Sequence, residues 1–510
     1  MATITVFDGA TTIGGNKIYV EENNSGVFLD FGKNFKTYGK YFQEFLNPRS
    51  IRGLNDLLQL DLIPKIGNYR TDLVPSDLDI TTYPKLDIEA VLLTHAHQDH
   101  FGNIGMLDPE IPLVCSPITM AFLKGILDSA NADMTTEVAY FTVKNTIDSQ
   151  GKIMKSKGNK HTRREFYTTE SSSDALCDFM ERPAKSKKSF NECREVSDLQ
   201  SVKLPFEVEA YNVDHSIYGA TAYILKGDTI IAYTGDFRLH GKQAKSSQEF
   251  LKNAKNASVL ISEGTRVGHE SATEESEEIV RDSCREVIEL ASDLVIADFS
   301  NRHIERLETF SEIATEVGRE IVIPAKTAYI LHSLEQIDGV DRLQNYLIYD
   351  ELKSRKLFWE TETFVNTPLS NLYITSENIA KNPENYILCF SFFDLKHLLD
   401  IRPEKGTYVY SSSEAFDEES EFDFQRLDQW LKYFNFEVFG FELNRKGSEF
   451  ELKFEKRFHA SGHISQTDLF KAIKEVDPDI IIPVHTENPK WFAENFDNVK
   501  LADHGNAIKV

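Results

Sequence analysis

A chain of 510 residues is too long for one ordinary hydrophobic core, so two or more domains, or one domain inserted in another, are expected. With 41% hydrophobic and 27% charged residues the composition is that of a folded globular protein, and a formal charge of −25 excludes the broad basic surface of a general nucleic-acid binder, so any phosphate site must be local. No apolar run is long enough to cross a bilayer, MATITVFDGA has no leader character, and five scattered cysteines without a C-x-x-C pair read as reduced thiols; the expectation is a cytoplasmic protein without membrane association.

Short β-rich runs separated by turn signals open the chain, at 4–7, 17–20, 27–31, 90–94 and 114–115. The segment GATTIGGNK at 9–17 superficially resembles a phosphate loop, but Asn16 stands where Lys should follow Gly, so a tight hairpin turn is expected. From 145 to 199 the character turns polar, with KIMKSKGNKHTRR and PAKSKKS supplying clustered cations; this reads as a mobile insertion, either a solvated loop or an arm that contacts phosphates. Strand-like runs return at 206–212, 222–225, 229–234 and 259–262 and continue the first domain. Strands at 294–299, 321–323, 346–348 and 387–390 then alternate with helical stretches such as 274–291 and 304–317, the rhythm of parallel α/β units in a separate domain. Helices at 424–433 and 464–476 and a buried strand at 480–484 running into His485 close the series, and no internal repeat is visible.

The strongest signal is VLLTHAHQDHFGNIG, where an apolar strand at 91–93 runs into His95-Ala96-His97-Gln98-Asp99-His100. Alternate residues of an extended segment face the same way, so four ligand types in six positions suit two cations rather than one. His95 and His97 share one side, while Asp99 and His100 lie across a turn. Further ligand types stand at other strand ends: Asp214-His215, Gly235-Asp236 and His485. Imidazole and carboxylate donors of this kind suit zinc first and manganese second.

The order of Asp30, the HAHQDH run, His215, Asp236, Glu263, His459 and His485 resembles the β-CASP branch of the metallo-β-lactamase superfamily, which includes ribonuclease J and the endonuclease of eukaryotic pre-mRNA cleavage and polyadenylation. The resemblance spans nearly the whole chain. It implies an αββα sandwich at 1–245 and 406–510 interrupted by an α/β β-CASP cap at 246–405 that closes over the metals. It also implies one metal on His95, His97 and His215, another on Asp99, His100 and His485, Asp236 bridging the two, and Asp30 orienting ligands from behind.

Paired cations would lower the pKa of a shared water towards roughly 7 and set it in line with a phosphorus atom. The leaving oxyanion then needs a proton, and His459 is the expected donor, with Glu263 holding its tautomer and raising its pKa. Asp99, Glu263 and His459 are the expected catalytic residues, Asp99 doubling as a ligand. Ser300, Asn301 and Arg302, between a strand and a helix start, are candidate phosphate contacts, as are Ser411-Ser412-Ser413 and Ser461-Gly462-His463.

DNA-processing members of the branch usually carry Val where His485 stands, which tilts the expectation to single-stranded RNA as substrate. The alternatives are a hydrolase of small esters or thioesters, which would have no need of Glu263 and His459, a DNA nuclease of the same branch, or a binding subunit that keeps the fold. The insertion at 145–199, the Thr486-Glu487-Asn488-Pro489 run and the short stretch after His485 depart from ribonuclease J; a sister group with an oligomer of its own is therefore expected, a homodimer being the candidate assembly.

Overall fold

Burial along the early strands sets the architecture: Ser25–Phe31 sends Val27 and Leu29 into one core and Phe28 into another, so both faces of the strand are covered. The computed structural model describes all residues except 1, 44, 132, 193, 269–275, 413–417 and 447–448, with the backbone alone at 418–422, 445–446 and 449. Eight strands form the first sheet, in the order Val196–Asp198, Phe166–Thr168, Leu113–Cys115, Ile88–Leu92, Ser25–Phe31, Lys17–Glu22, Thr3–Asp8 and Ala507–Lys509. The second has five: Glu207–Asn212, Thr221–Lys226, Ile230–Tyr233, Val259–Ser262 and Ile480–Pro483. Ile4, Val20, Leu29 and Leu92 of the first meet Tyr223, Ile231, Ile261 and Ile482 of the second in one core. Helix Pro117–Ser129 covers the outer face of the first sheet, and helices Ala244–Asn253 and Gln466–Val476 that of the second, giving the αββα order.

A third sheet of seven strands is parallel at every pairing, in the order Tyr373–Ile374, Tyr346–Tyr349, Glu320–Ile323, Tyr386–Leu388, Leu294–Asp298, Gly406–Tyr410 and Phe436–Phe439. Helices Glu277–Leu290, Ile304–Val317 and Ala325–Asp338 pack on one face, and Glu418–Tyr433 on the other. The α/β class, a sandwich with an inserted α/β unit, is thus borne out. The expected end of the cap at 405 falls short of its sheet, because Gly406–Tyr410 and Phe436–Phe439 are its last two strands, and the chain rejoins the sandwich at helix Gln466–Val476 and strand Ile480–Pro483.

The segment 145–199 is not an arm. Phe166–Thr168 pairs in parallel with both Leu113–Cys115 and Val196–Asp198, extending the first sheet. Its cations are used inwardly: fully buried Arg164 donates to the carbonyls of Ile104, Leu107, Asp108 and Ile111 at 2.7–3.1 Å, and buried Arg163 pairs with Glu181. Sandwich and cap also share a core. Gly125 lies so close to Ala325–Asp338 that an added Cβ would stand 2.8 Å from Ser333 Oγ, and beside it Asp128 holds Lys124 Nζ at 2.5 Å and accepts from Tyr329 at 2.9 Å.

Candidate metal centre and active site

Strand Ile88–Leu92 ends in the histidine loop, and helix Gln98–Phe101 turns Asp99 and His100 back beneath it. His97 Nδ1 lies 3.0 Å from His95 Nε2 and 3.2 Å from His215 Nε2, so three ring nitrogens converge. Asp99, His100, Asp236 and His485 form the adjoining group, with His485 Nε2 3.2 Å from Asp99 Oδ2 and His100 Nε2 3.0 Å from Asp236 Oδ2. Asp236 Oδ2 is also 3.8 Å from His95, 4.0 Å from His215 and 3.5 Å from His485, which sets one carboxylate between the two groups.

The outer nitrogens of these rings are occupied, and that fixes which atom faces inward. His215 Nδ1 meets Gly462 O at 2.5 Å, His485 Nδ1 meets Thr265 Oγ1 at 2.9 Å, and His100 Nδ1 meets Asp30 Oδ2 at 2.8 Å. Asp30, at φ 58°, also accepts from Thr94 N at 2.8 Å and Tyr233 OH at 2.7 Å, while Tyr233 accepts from Asn16 at 3.0 Å. Burial and the neighbouring rings hold His95 and His215 well below the usual imidazole range, and burial brings His97 to about 4, so these rings are neutral as ligands must be.

The donor set fits a divalent pair. Asp236 Oδ1 is buried without a hydrogen-bond partner, and of the three imidazole nitrogens that meet at 3.0–3.2 Å a single N–H cannot serve both contacts of His97 Nδ1, whereas a cation between them would serve all three. Divalent metal ions are the cofactor for which these groups are arranged. Close packing keeps the pieces in place: a Cβ on Gly14 would come within 2.7 Å of the Asp99 carboxylate, and one on Gly32 would overlap the Asp99 carbonyl.

Glu263, at the end of Val259–Ser262, faces His463 and not His459. His463 Nδ1 is 3.0 Å from Glu263 Oε2 and 3.9 Å from Asp236 Oδ2. Burial opposes a charge on His463, but Glu263 and Asp236 outweigh it and raise the ring to about 9. His459 is buried elsewhere, with Nδ1 2.8 Å from Ser412 O and Nε2 2.7 Å from Gly440 O, so both nitrogens are engaged by main-chain carbonyls of the cap side. The expectation for His459 is therefore corrected: FHASGHI carries two histidines four residues apart, and their spacing does not reveal which one reaches the strand end.

Among the other candidates, Arg302 reaches the centre, its Nη1 3.4 Å from Ala96 O, whereas Ser300 is exposed and Asn301 half-buried beside it at the end of Leu294–Asp298. Helix Ile304–Val317 has His303 at its cap, so the expected anion site at its first turn is not formed by Ser300 and Asn301. Ser412 meets only His459 among the contacts described, Ser413 lies outside the described residues, and the Ser461 carbonyl accepts from Arg238 and His240 at 3.3 and 2.9 Å. Arg238 carries no motif signal in the sequence. Fully buried, it binds Asp214 at 3.1 Å beside His215, and Glu277 and Glu305 of the cap at 2.8 and 2.5 Å.

Comparison with known proteins agrees with this geometry. The family model of the metallo-β-lactamase superfamily matches residues 66–114, which include the histidine run. Ribonuclease J of Pyrococcus abyssi is 21% identical over 96% of this chain and 90% of its own length. The Thermus thermophilus ribonuclease J is 21% identical over 94% of the chain and 72% of its length, and that of Sinorhizobium meliloti 22% over 82%, where the match spans only 61% of the relative. A crystal structure of a protein of unknown function from Enterococcus faecalis V583 superposes with a TM-score of 0.65 at 22% identity over 99% of both chains, which bears on the fold alone. The chain is thus similar to the metallo-β-lactamase superfamily across the stretch that holds the histidine run. The two-sheet sandwich with its inserted parallel sheet is accompanied by similarity to ribonuclease J over most of the chain.

Proposed function

We propose that the protein is a metal-dependent ribonuclease in which His95, His97 and His215 hold one cation, Asp99, His100 and His485 a second, and Asp236 both. The observation that carries phosphodiester chemistry is the Glu263–His463 pair, 3.0 Å apart and directed at the same carboxylate as the metal donors. When bound, two divalent cations supply the positive charge that makes a phosphodiester open to attack by water. Around them the chain's own groups divide the remaining work. His463, with Nδ1 committed to Glu263, presents its Nε2 proton to the leaving oxygen, and the Arg302 guanidinium faces the phosphate oxygens. Zinc is the proposed native metal, from the predominance of imidazole donors. Single-stranded RNA is the proposed substrate, because the donor groups are mostly buried and Arg302 of the cap reaches over them, where a rigid duplex would not enter. A homodimer in the cytoplasm is the proposed state; among the described residues the cysteines are free and no helix is long and apolar enough to cross a membrane.

Incubating metal-reconstituted protein with 5′-labelled RNA and DNA oligomers, single-stranded and blunt duplex, tests this reading. Single-stranded RNA should be cut well ahead of the others. Equal rates on the duplex would remove the argument from burial, and hydrolysis confined to small esters or thioesters would leave the Glu263–His463 pair without work and replace the ribonuclease reading.

A further inference from the structure

Resting on the ribonuclease reading, we propose that segment 33–45, on the sandwich side of the metal centre, is a platform that binds single-stranded RNA outside the cleavage site by stacking bases on Phe35, Tyr41 and Phe45. Between residues 33 and 52 the sequence places five Lys or Arg, five Phe or Tyr and one acidic residue, in a chain whose net charge is −25. This composition runs against the net acidity of the chain, and it is the interleaving of cation and ring that single-stranded nucleic acid requires.

The segment is set against the chemistry. Gly32 presses on Asp99, Lys33 N donates to Gln98 O at 2.9 Å, and Lys36 Nζ pairs at 2.5 Å with Glu487, two residues beyond His485. Asn34 anchors it, accepting from Thr37 N at 2.9 Å and donating to Asp8 at 2.7 Å. Beyond these anchors at 32–37 the rings face water: Phe35 is 50%, Tyr41 46% and Phe45 86% exposed. Lys40 is exposed and makes no ion pair among the described residues, and Lys33 Nζ lies 3.6 Å above the Tyr38 ring. A subunit interface would deplete lysine around its buried rings. Here Lys33, Lys36 and Lys40 flank Phe35 and Tyr41, with only Lys36 in an ion pair among the described residues, so the charge pattern favours a polyanion with flat apolar faces over a second copy of the chain.

The experiment compares the metal-loaded protein with a Phe35→Ser, Tyr41→Ser, Phe45→Ser variant. Binding of labelled, uncleavable phosphorothioate RNA of about twenty nucleotides is read by fluorescence anisotropy, beside a strand of equal length made abasic outside the cleavage site. Stacking contributions of this kind predict that the variant weakens binding of the base-bearing strand about 10-fold or more and leaves the abasic strand nearly unchanged. Hydrolysis of a nitrophenyl phosphodiester and the unfolding midpoint should not move, since all three residues are on the surface. Unchanged affinity, or equal losses on both strands, would overturn the platform. So would sedimentation showing that the substitutions convert a dimer to monomers, which would make the patch a subunit face. Absence of RNA cleavage by the wild-type protein would count against the ribonuclease reading separately, because the platform is read by binding.

Discussion

Replacing His463 with alanine should slow RNA cleavage by roughly 10²–10⁴-fold, the usual contribution of general acid catalysis, and should leave both metals bound. Glu263 is fixed by Phe237 N at 2.8 Å and Thr265 Oγ1 at 2.6 Å, and it stands 3.0 Å from His463 Nδ1. Burial lowers the His463 pKa, but Glu263, Asp236 and Asp99 outweigh it and bring the ring to about 9. Bound cations push the same ring downward, so the quantity to compare is the displacement between variants. Removing a carboxylate at this distance lowers an imidazole pKa by roughly 1–3 units. Taken from about 9, the charged fraction at pH 8 falls from about nine-tenths to between about one half and one hundredth. A general acid works below its pKa and fails as pH rises through it, so Glu263→Gln should move the alkaline limb of kcat/KM to lower pH. Profiles measured on RNA and on a nitrophenyl phosphodiester, whose leaving group needs no proton, separate proton donation from binding. The reasoning fails if His459→Ala erases the alkaline limb while His463→Ala leaves it, or if both substrates slow equally.

Asp236→Ala should retain at most one metal per chain by elemental analysis, because Asp236 Oδ2 lies within 4.0 Å of His95, His100, His215 and His485; retention of two would contradict the shared carboxylate. Arg164→Ala should cost at least about 3 kcal/mol, since it strips the donor from four carbonyls and each buried acceptor left bare costs roughly 1–3 kcal/mol. Urea unfolding that moves by less than about 1 kcal/mol would return 145–199 to the status of a peripheral loop. Arg238→Met should cost roughly 3–5 kcal/mol by leaving buried carboxylates unpaired, and should release metal at lower chelator concentration because Asp214 adjoins His215; a variant as stable and as metal-retentive as the wild type would show that the network is idle.

Periodicity made much of this fold legible. The alternation of Val27, Phe28 and Leu29 announces a strand covered on both faces, and helix Ile304–Val317 coincides with its predicted span. The donors at strand ends were legible for a related reason: a strand inside a sandwich stops where its neighbours stop, so His95, His215, Asp236 and His485 arrive at one edge. What composition misread was the purpose of charge. KHTRR looks like solvated loop because Arg and Lys are seldom buried, yet Arg164 sits in the interior where four carbonyls converge, an arrangement built by residues 104–111 that no local window contains. His459 and His463 were indistinguishable for a similar reason, since their roles are set by Gly440 and Glu263, distant in the chain. The aromatic and lysine content of 33–52 was countable from the start, but only the pressing of Gly32 on Asp99 gives it a place beside the chemistry.

The buried charges argue that sandwich and cap work as one body at the metal centre. Arg238 follows Asp236 by two residues, holds Asp214 beside His215, and takes the Ser461 carbonyl of the loop that ends in His463. Its other contacts, Glu277 and Glu305, begin two helices of the cap, where Glu277 also pairs with Arg306 at 2.9 Å. A buried cation among carboxylates is weak evidence for stability, because desolvation offsets most of the attraction. It is stronger evidence for geometry, since removing any one member leaves the others unpaired in a medium where that is costly. Three loops that carry donor groups therefore share a single guanidinium with the two helices that roof them. A cap that shifted away from the sandwich would have to break that set, and with it the support of His215 and the loop of His463.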